Sequence, residues 1–141
     1  MHNLLKSLFI VLTLGLAASV SAHADHPAYL HALSDLRLAR AYVSEVGDGN
    51  RSAKVIEQID LAINDIKSAS IDDHKPLNDH PPVDANLDFH GRFHRALELL
   101  DHAHHDVNQE EDNVFAQGLK HRALEHIDKA HEILKNIVAG W

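Results

Sequence analysis

Ala32-Leu33-Ser34-Asp35-Leu36-Arg37-Leu38-Ala39-Arg40-Ala41-Tyr42-Val43 decides the fold, because it carries a pattern that returns along the rest of the chain. Ala32, Leu33, Leu36, Ala39 and Val43 fall on one face of a helix. The same spacing recurs as Val55-Ile56-x-x-Ile59-x-x-Ala62-x-x-x-Ile66, as Ala96-Leu97-x-x-Leu100-x-x-Ala103-x-x-x-Val107 and as Ala123-Leu124-x-x-Ile127-x-x-Ala130-x-x-x-Leu134. Apolar residues at these intervals make a single stripe along a helix that must be buried against other helices. The alanine in each stripe lets a neighbour approach closely. The last two copies also share polar positions: His94-Arg95-Ala96-Leu97-Glu98 matches His121-Arg122-Ala123-Leu124-Glu125, and Asp101, Ala103 and His104 match Asp128, Ala130 and His131. Those matches point to an internal duplication of helices 3 and 4.

Punctuation sets the boundaries. Asp25-His26-Pro27 opens helix 1, where proline is tolerated in the first turn, and Gly47-Asp48-Gly49-Asn50 closes it. Helix 2 is expected from about Ser52 to Ser70, and helix 3 from about Asn86 to Asn108. Glu110, Glu111 and Asp112 place negative charge where helix 4 is expected to begin, favourable against its dipole. Helix 4 ends near Ala139-Gly140. Short links between helices 1 and 2 and between helices 3 and 4 imply antiparallel neighbours. The expected fold is therefore all-α: an antiparallel up-down-up-down four-helix bundle over residues 25–141. Helices 2 and 3 are joined by a long loop, residues 71–85, reading IDDHKPLNDHPPVDA, which exceeds what an antiparallel turn needs.

Residues 1–24 are read as a secretory signal peptide. Lys6 precedes the apolar run Leu8–Val20, and small-x-small cleavage sites follow at Val20-Ser21-Ala22 and Ala22-His23-Ala24. The run is short for a bilayer span, which needs about 20 residues. The expectation is an exported protein, periplasmic or secreted, with no membrane association after cleavage. The formal net charge of −8 repels nucleic-acid phosphates and disfavours anionic membrane surfaces. There is no cysteine, hence no disulfide and no thiolate chemistry.

Histidine is the compositional outlier, with 14 in 141 residues. If helices 3 and 4 form a hairpin turning near Glu110, His90 stands level with His131, and His94 level with Ile127 and Asp128. His90 and His94 are also i and i+4 on one face. His90, His94, Asp128 and His131 are thus expected to converge as metal ligands. In an up-down-up-down bundle, His26 and the loop residues His74 and His80 reach the same pole, with His74 and His80 as lid ligands. Imidazole with carboxylate suits Zn, Cu(II) or Ni(II). A second, lesser grouping joins Asp101, His105 and His121 at the opposite pole.

Other chemistries lack their residues. No Glu has a His three positions on, which a ferritin-like di-iron site requires. There is no Cys-x-x-Cys-His, and the only Met is Met1, so no haem is expected. His90-Gly91-Arg92-Phe93-His94 has the spacing of a zinc-protease helix without its glutamate. No nucleophile elbow or P-loop is present, and no enzyme activity is expected.

The segments Tyr29-Leu30-His31-Ala32-Leu33-Ser34-Asp35-Leu36-Arg37, Asn78-Asp79-His80-Pro81-Pro82-Val83-Asp84 and Glu110-Glu111-Asp112-Asn113 resemble a group of uncharacterised exported bacterial four-helix proteins. More loosely, an exported helical chain without cysteine, with histidines beside Ala and Asp or Glu, is similar to small His-rich periplasmic metal-binding bundles (SmbP-like). That resemblance implies metal binding. The histidines here are fewer and nearly absent from helix 2, which favours one or two sites over high-capacity storage. The expected function is a periplasmic buffer or carrier for a divalent transition metal. The competing expectation is a structural or partner-binding bundle without metal, using the 71–85 loop as its contact surface.

Overall fold

A computed structural model of the chain describes residues 26–46, 49–69, 73–110 and 116–141. The expected signal peptide lies outside these residues. Four α-helices and no strands are present among them: α1 (Pro27–Ser44), α2 (Gly49–Ala69), α3 (Phe89–Gln109) and α4 (Gln117–Ala139). The alanines of the stripes, Ala32, Ala39, Ala62, Ala96, Ala103, Ala123 and Ala130, are fully buried. Leu33, Leu36, Val43, Val55, Ile59, Ile66, Leu100, Val107, Ile127 and Leu134 are buried with them. Ile56, Leu97 and Leu124, at the edge of their stripes, are partly buried and pack against the same core.

Helix ends follow local chemistry. Asp88 caps α3 by accepting a hydrogen bond from the Gly91 N–H at 2.8 Å, so this helix starts three residues later than the pattern suggests. The start of α1 has no side-chain cap of its own. Glu110 supplies one from the end of α3: its Oε1 accepts from the N–H groups of Ala28 at 3.0 Å and Tyr29 at 3.3 Å, and its Oε2 meets His26 Nδ1 at 3.0 Å. Of the negative charge expected at the start of α4, Glu110 serves the N-terminus of α1 instead, and Glu111 and Asp112 lie outside the described residues; α4 begins at Gln117.

Contacts along the seams fix helix directions. His26 meets Glu110, Asp35 faces His102 at 3.9 Å, and Glu45 meets Arg92 at 2.7 Å, so α1 and α3 run antiparallel. Asp101 meets His131 at 3.2 Å and His104 meets Asp128 at 3.4 Å, so α3 and α4 run antiparallel. Arg122 reaches Asp65 at 3.2 Å and His126 meets Gln58 at 2.8 Å, so α2 and α4 also run antiparallel. The helices stand around a square in the order α1, α2, α4, α3, with α2 and α3 on a diagonal and out of contact.

These directions correct the expected topology. The order is up-down-down-up, with α2 and α3 pointing the same way. The α2–α3 connection must then climb the whole bundle, about 30 Å for helices of this length. Its described part, from Asp73 onward, rises along the second half of α1. Asp73 is held by Arg37 at 2.8 Å, the Asp84 N–H donates to the Tyr42 hydroxyl at 3.0 Å, and Arg92 donates to the Leu87 carbonyl at 3.0 Å near the end of α1. The loop is long because it is a crossover strap.

Candidate functional site

The α3–α4 register separates the expected ligands. The link before α4 is longer than a turn at Glu110 allows, which slides the helices by about three turns from the expected register. His90 consequently stands level with Trp141, not His131. Its ring meets the indole edge-on at 4.3 Å between centroids and lies 5.6 Å from Phe89. Asp128 and His131 engage different partners, His104 and Asp101 respectively. His94 and His131 do reach a common groove of about 400 Å3 between α3 and α4, beside Glu98, Asp101 and Lys135.

The strap histidines do not join them. His80 Nδ1 donates to the Pro81 carbonyl at 2.8 Å. His74 is exposed and takes the left-handed backbone conformation, φ 55°, next to the Asp73 anchor. His26 is at the opposite pole from His90, on Glu110. The lesser grouping also divides: Asp101 turns to His131, His121 pairs with Glu125 one turn on at 3.3 Å, and His105 faces α1. As the side chains stand, no three His, Asp or Glu residues among the described residues close on one point to hold a metal ion.

A different concentration lies on the α1 side of α3. His31, Ser34 and Asp35 from α1 and His102, His105 and Asp106 from α3 line an open groove of about 390 Å3. His31, His102 and His105 are exposed, whereas Asp35 and Asp106 are half-buried. His105 Nε2 meets the Gln109 side-chain amide one turn along α3. Burial pushes the Asp35 carboxyl above its ordinary value. Asp106 adds to the rise, while His102, Arg95 and His31 oppose it. Sequence reasoning passed over this group, although its signal is readable. His31-x-x-x-Asp35 and His102-x-x-x-Asp106 are the same i, i+4 pair on two helices.

The remaining interhelical histidine tie is His126, whose Nδ1 meets Gln58 and whose Nε2 lies 3.8 Å from Asp65. It binds α4 to α2 and belongs to the packing. Among the described residues, no helix is long and apolar enough to cross a membrane. No protein-family model, curated protein or solved structure matches the chain.

Proposed function

We propose that the protein binds divalent transition metal ions, Cu, Zn or Ni, as a buffer or carrier exported to the periplasm, and that it is not an enzyme. One observation carries this reading: both flanks of α3 bear imidazoles interleaved with carboxylates. Toward α4 these are His94, Asp101 and His104, and toward α1 they are His102, His105 and Asp106. Nitrogen and oxygen donors of this kind suit borderline divalent ions. Most of these imidazoles are exposed or half-buried, so their rotamers can change without disturbing the core. Of the ligands expected from sequence, His94 and His131 line the groove toward α4. His90, Asp128, His74 and His80 do not share their groove.

Competition between the purified protein and a chromogenic chelator for Zn(II), Cu(II) and Ni(II) tests the reading. Stoichiometric binding with a dissociation constant below about 1 μM supports it, well beyond what dispersed surface imidazoles give. Failure to compete for any of the three sinks it.

One observation favours the alternative of a partner-binding bundle. The strap is pinned at Asp73 and Asp84, while Leu77, Pro81 and Pro82 between them are exposed on a stiffened segment. If metal binding fails, that crest is the surface on which to seek a protein partner.

A further inference from the structure

The two flanks of α3 are not equivalent, and their difference selects one of them. Along the α1–α3 seam, Asp35 faces His102. The antiparallel register fixed by His26 with Glu110 and by Glu45 with Arg92 then sets His31, one turn before Asp35, level with Asp106, one turn after His102. Each helix contributes a His-x-x-x-Asp pair, and each imidazole stands opposite the other helix's carboxylate. The arrangement is pseudo-twofold, so two imidazoles and two carboxylates line one groove, a pair from each side. His105 lines the same groove as a third imidazole.

Among the described residues, no lysine or arginine lines this groove. The nearby Arg95 is drawn to Glu98 at 2.7 Å. The α3–α4 groove, by contrast, holds Lys135 among its lining residues. A fixed ammonium competes with a metal ion for the same carboxylates.

We propose that the α1–α3 groove is a binding site for one divalent ion of borderline softness, Zn(II) or Cu(II), ligated by His31, Asp35, His102 and Asp106, with His105 as the alternative imidazole. Two nitrogens and two oxygens at about 2.0–2.2 Å fit a four-coordinate ion. Mg(II) and Ca(II), which require mainly oxygen ligands, are disfavoured. Closure needs side-chain rotation only, because the imidazoles are exposed and i, i+4 side chains on one helix already lie about 5–6 Å apart at Cβ. His105 leaves the Gln109 amide when it is recruited. This inference rests on the metal-binding reading and adds to it the place of the site and its donor set.

The test is calorimetric titration of Zn(II) and Cu(II), with Mg(II) as control, into the purified protein and into His102→Gln/His105→Gln and His80→Gln/His121→Gln variants. Glutamine is a good helix former, and circular dichroism checks that each variant keeps its helices. The unsubstituted protein is expected to bind one ion per chain. The His102/His105 variant should bind at least about 100-fold more weakly, since loss of even an outer-shell group costs about 10–100-fold. The His80/His121 variant, whose imidazoles lie outside the groove, should stay within about threefold. Asp106→Asn, at one position of the same groove, should weaken binding by at least about tenfold. In the Cu(II) complex, the electron paramagnetic resonance spectrum should show imidazole nitrogen couplings that the His102/His105 variant loses. Tight binding that survives in the His102/His105 variant overturns the site while leaving the functional reading intact. No binding by the unsubstituted protein overturns both.

Discussion

Helix α1 carries two polar clusters built from similar groups, and they behave oppositely. On one side, Arg37 and Asp73 form a closed pair at 2.8 Å, with side chains 2% and 8% exposed. Lys67 Nζ adds a second cation at 3.4 Å, and the Lys75 N–H donates to the same carboxylate oxygen. On the other side, Asp35 is half-buried in the groove facing α3, with a histidine at 3.9 Å and no lysine or arginine in the lining among the described residues. Burial acts to raise both carboxyls. For Asp73, the hydrogen bonds from Arg37 and the Lys75 backbone and the guanidinium charge outweigh it and hold the group below its ordinary 3.8. For Asp35, burial prevails and the group is pushed above it. A carboxylate with a cation built in stabilises a fold; one without leaves a demand that a soluble cation can meet.

The sharpest way to break this comparison is at the closed pair. Arg37→Leu strands Asp73 without its guanidinium and is expected to destabilise the fold by about 3 kcal/mol, the scale for removing one partner of a buried ion pair. Urea unfolding measures it; a loss under about 1 kcal/mol means that Lys67 alone suffices to hold the strap. Tyr42→Phe removes the acceptor of the Asp84 N–H at the strap's upper anchor. That change should cost about 1 kcal/mol, the scale of a single neutral hydrogen bond. At the open side the sign reverses. Asp35→Asn removes an unfavourable buried charge and should stabilise the metal-free protein at neutral pH by up to about 0.5 kcal/mol. A clear loss of stability in that variant means that Asp35 is already satisfied by His102.

Acid sharpens the contrast further. The folded state binds the Asp35 proton more tightly than the unfolded chain does. Stability from this group is therefore gained as pH falls through its elevated folded value toward 3.8. Asp73 works in the other direction: its contribution is complete above 3.8 and is lost as pH falls through its depressed folded value. Stability followed by urea midpoint from pH 7 downward should show a small rise attributable to Asp35 and then a fall attributable to Asp73. Asp35→Asn should abolish the rise, and Arg37→Leu should flatten the fall.

The helices were readable because burial imposes a strict period: the alanines and most large aliphatics of the four stripes are fully buried. Direction and register were not, because both depend on links whose geometry no periodicity encodes. The clue to direction was the length of the 71–85 segment itself. A chain that must return along a bundle needs many residues, and a chain that merely turns does not. Taken as a long loop between antiparallel neighbours, that segment puts α3 the wrong way up and assembles His26, His74, His80 and His90 at a pole they do not share. Likewise, the sequence position of Glu110 points to the start of α4, whereas the helix it caps is α1, far away in sequence. The paired His-x-x-x-Asp motifs were visible, yet nothing in the sequence says that α1 and α3 are neighbours.

The diagonal placement of α2 and α3 has a consequence for how the chain comes together. The two broadest interfaces, α1 with α3 and α2 with α4, both join the first half of the chain to the second. Neither sequential hairpin holds the broadest interfaces, so each half is expected to need the other to complete its packing. The strap is the covalent tether that makes this meeting intramolecular. Cut there by a protease, the protein should persist as two fragments clasped to each other; given too short a tether, the halves would instead find their complements in a second chain, exchanging hairpins between molecules.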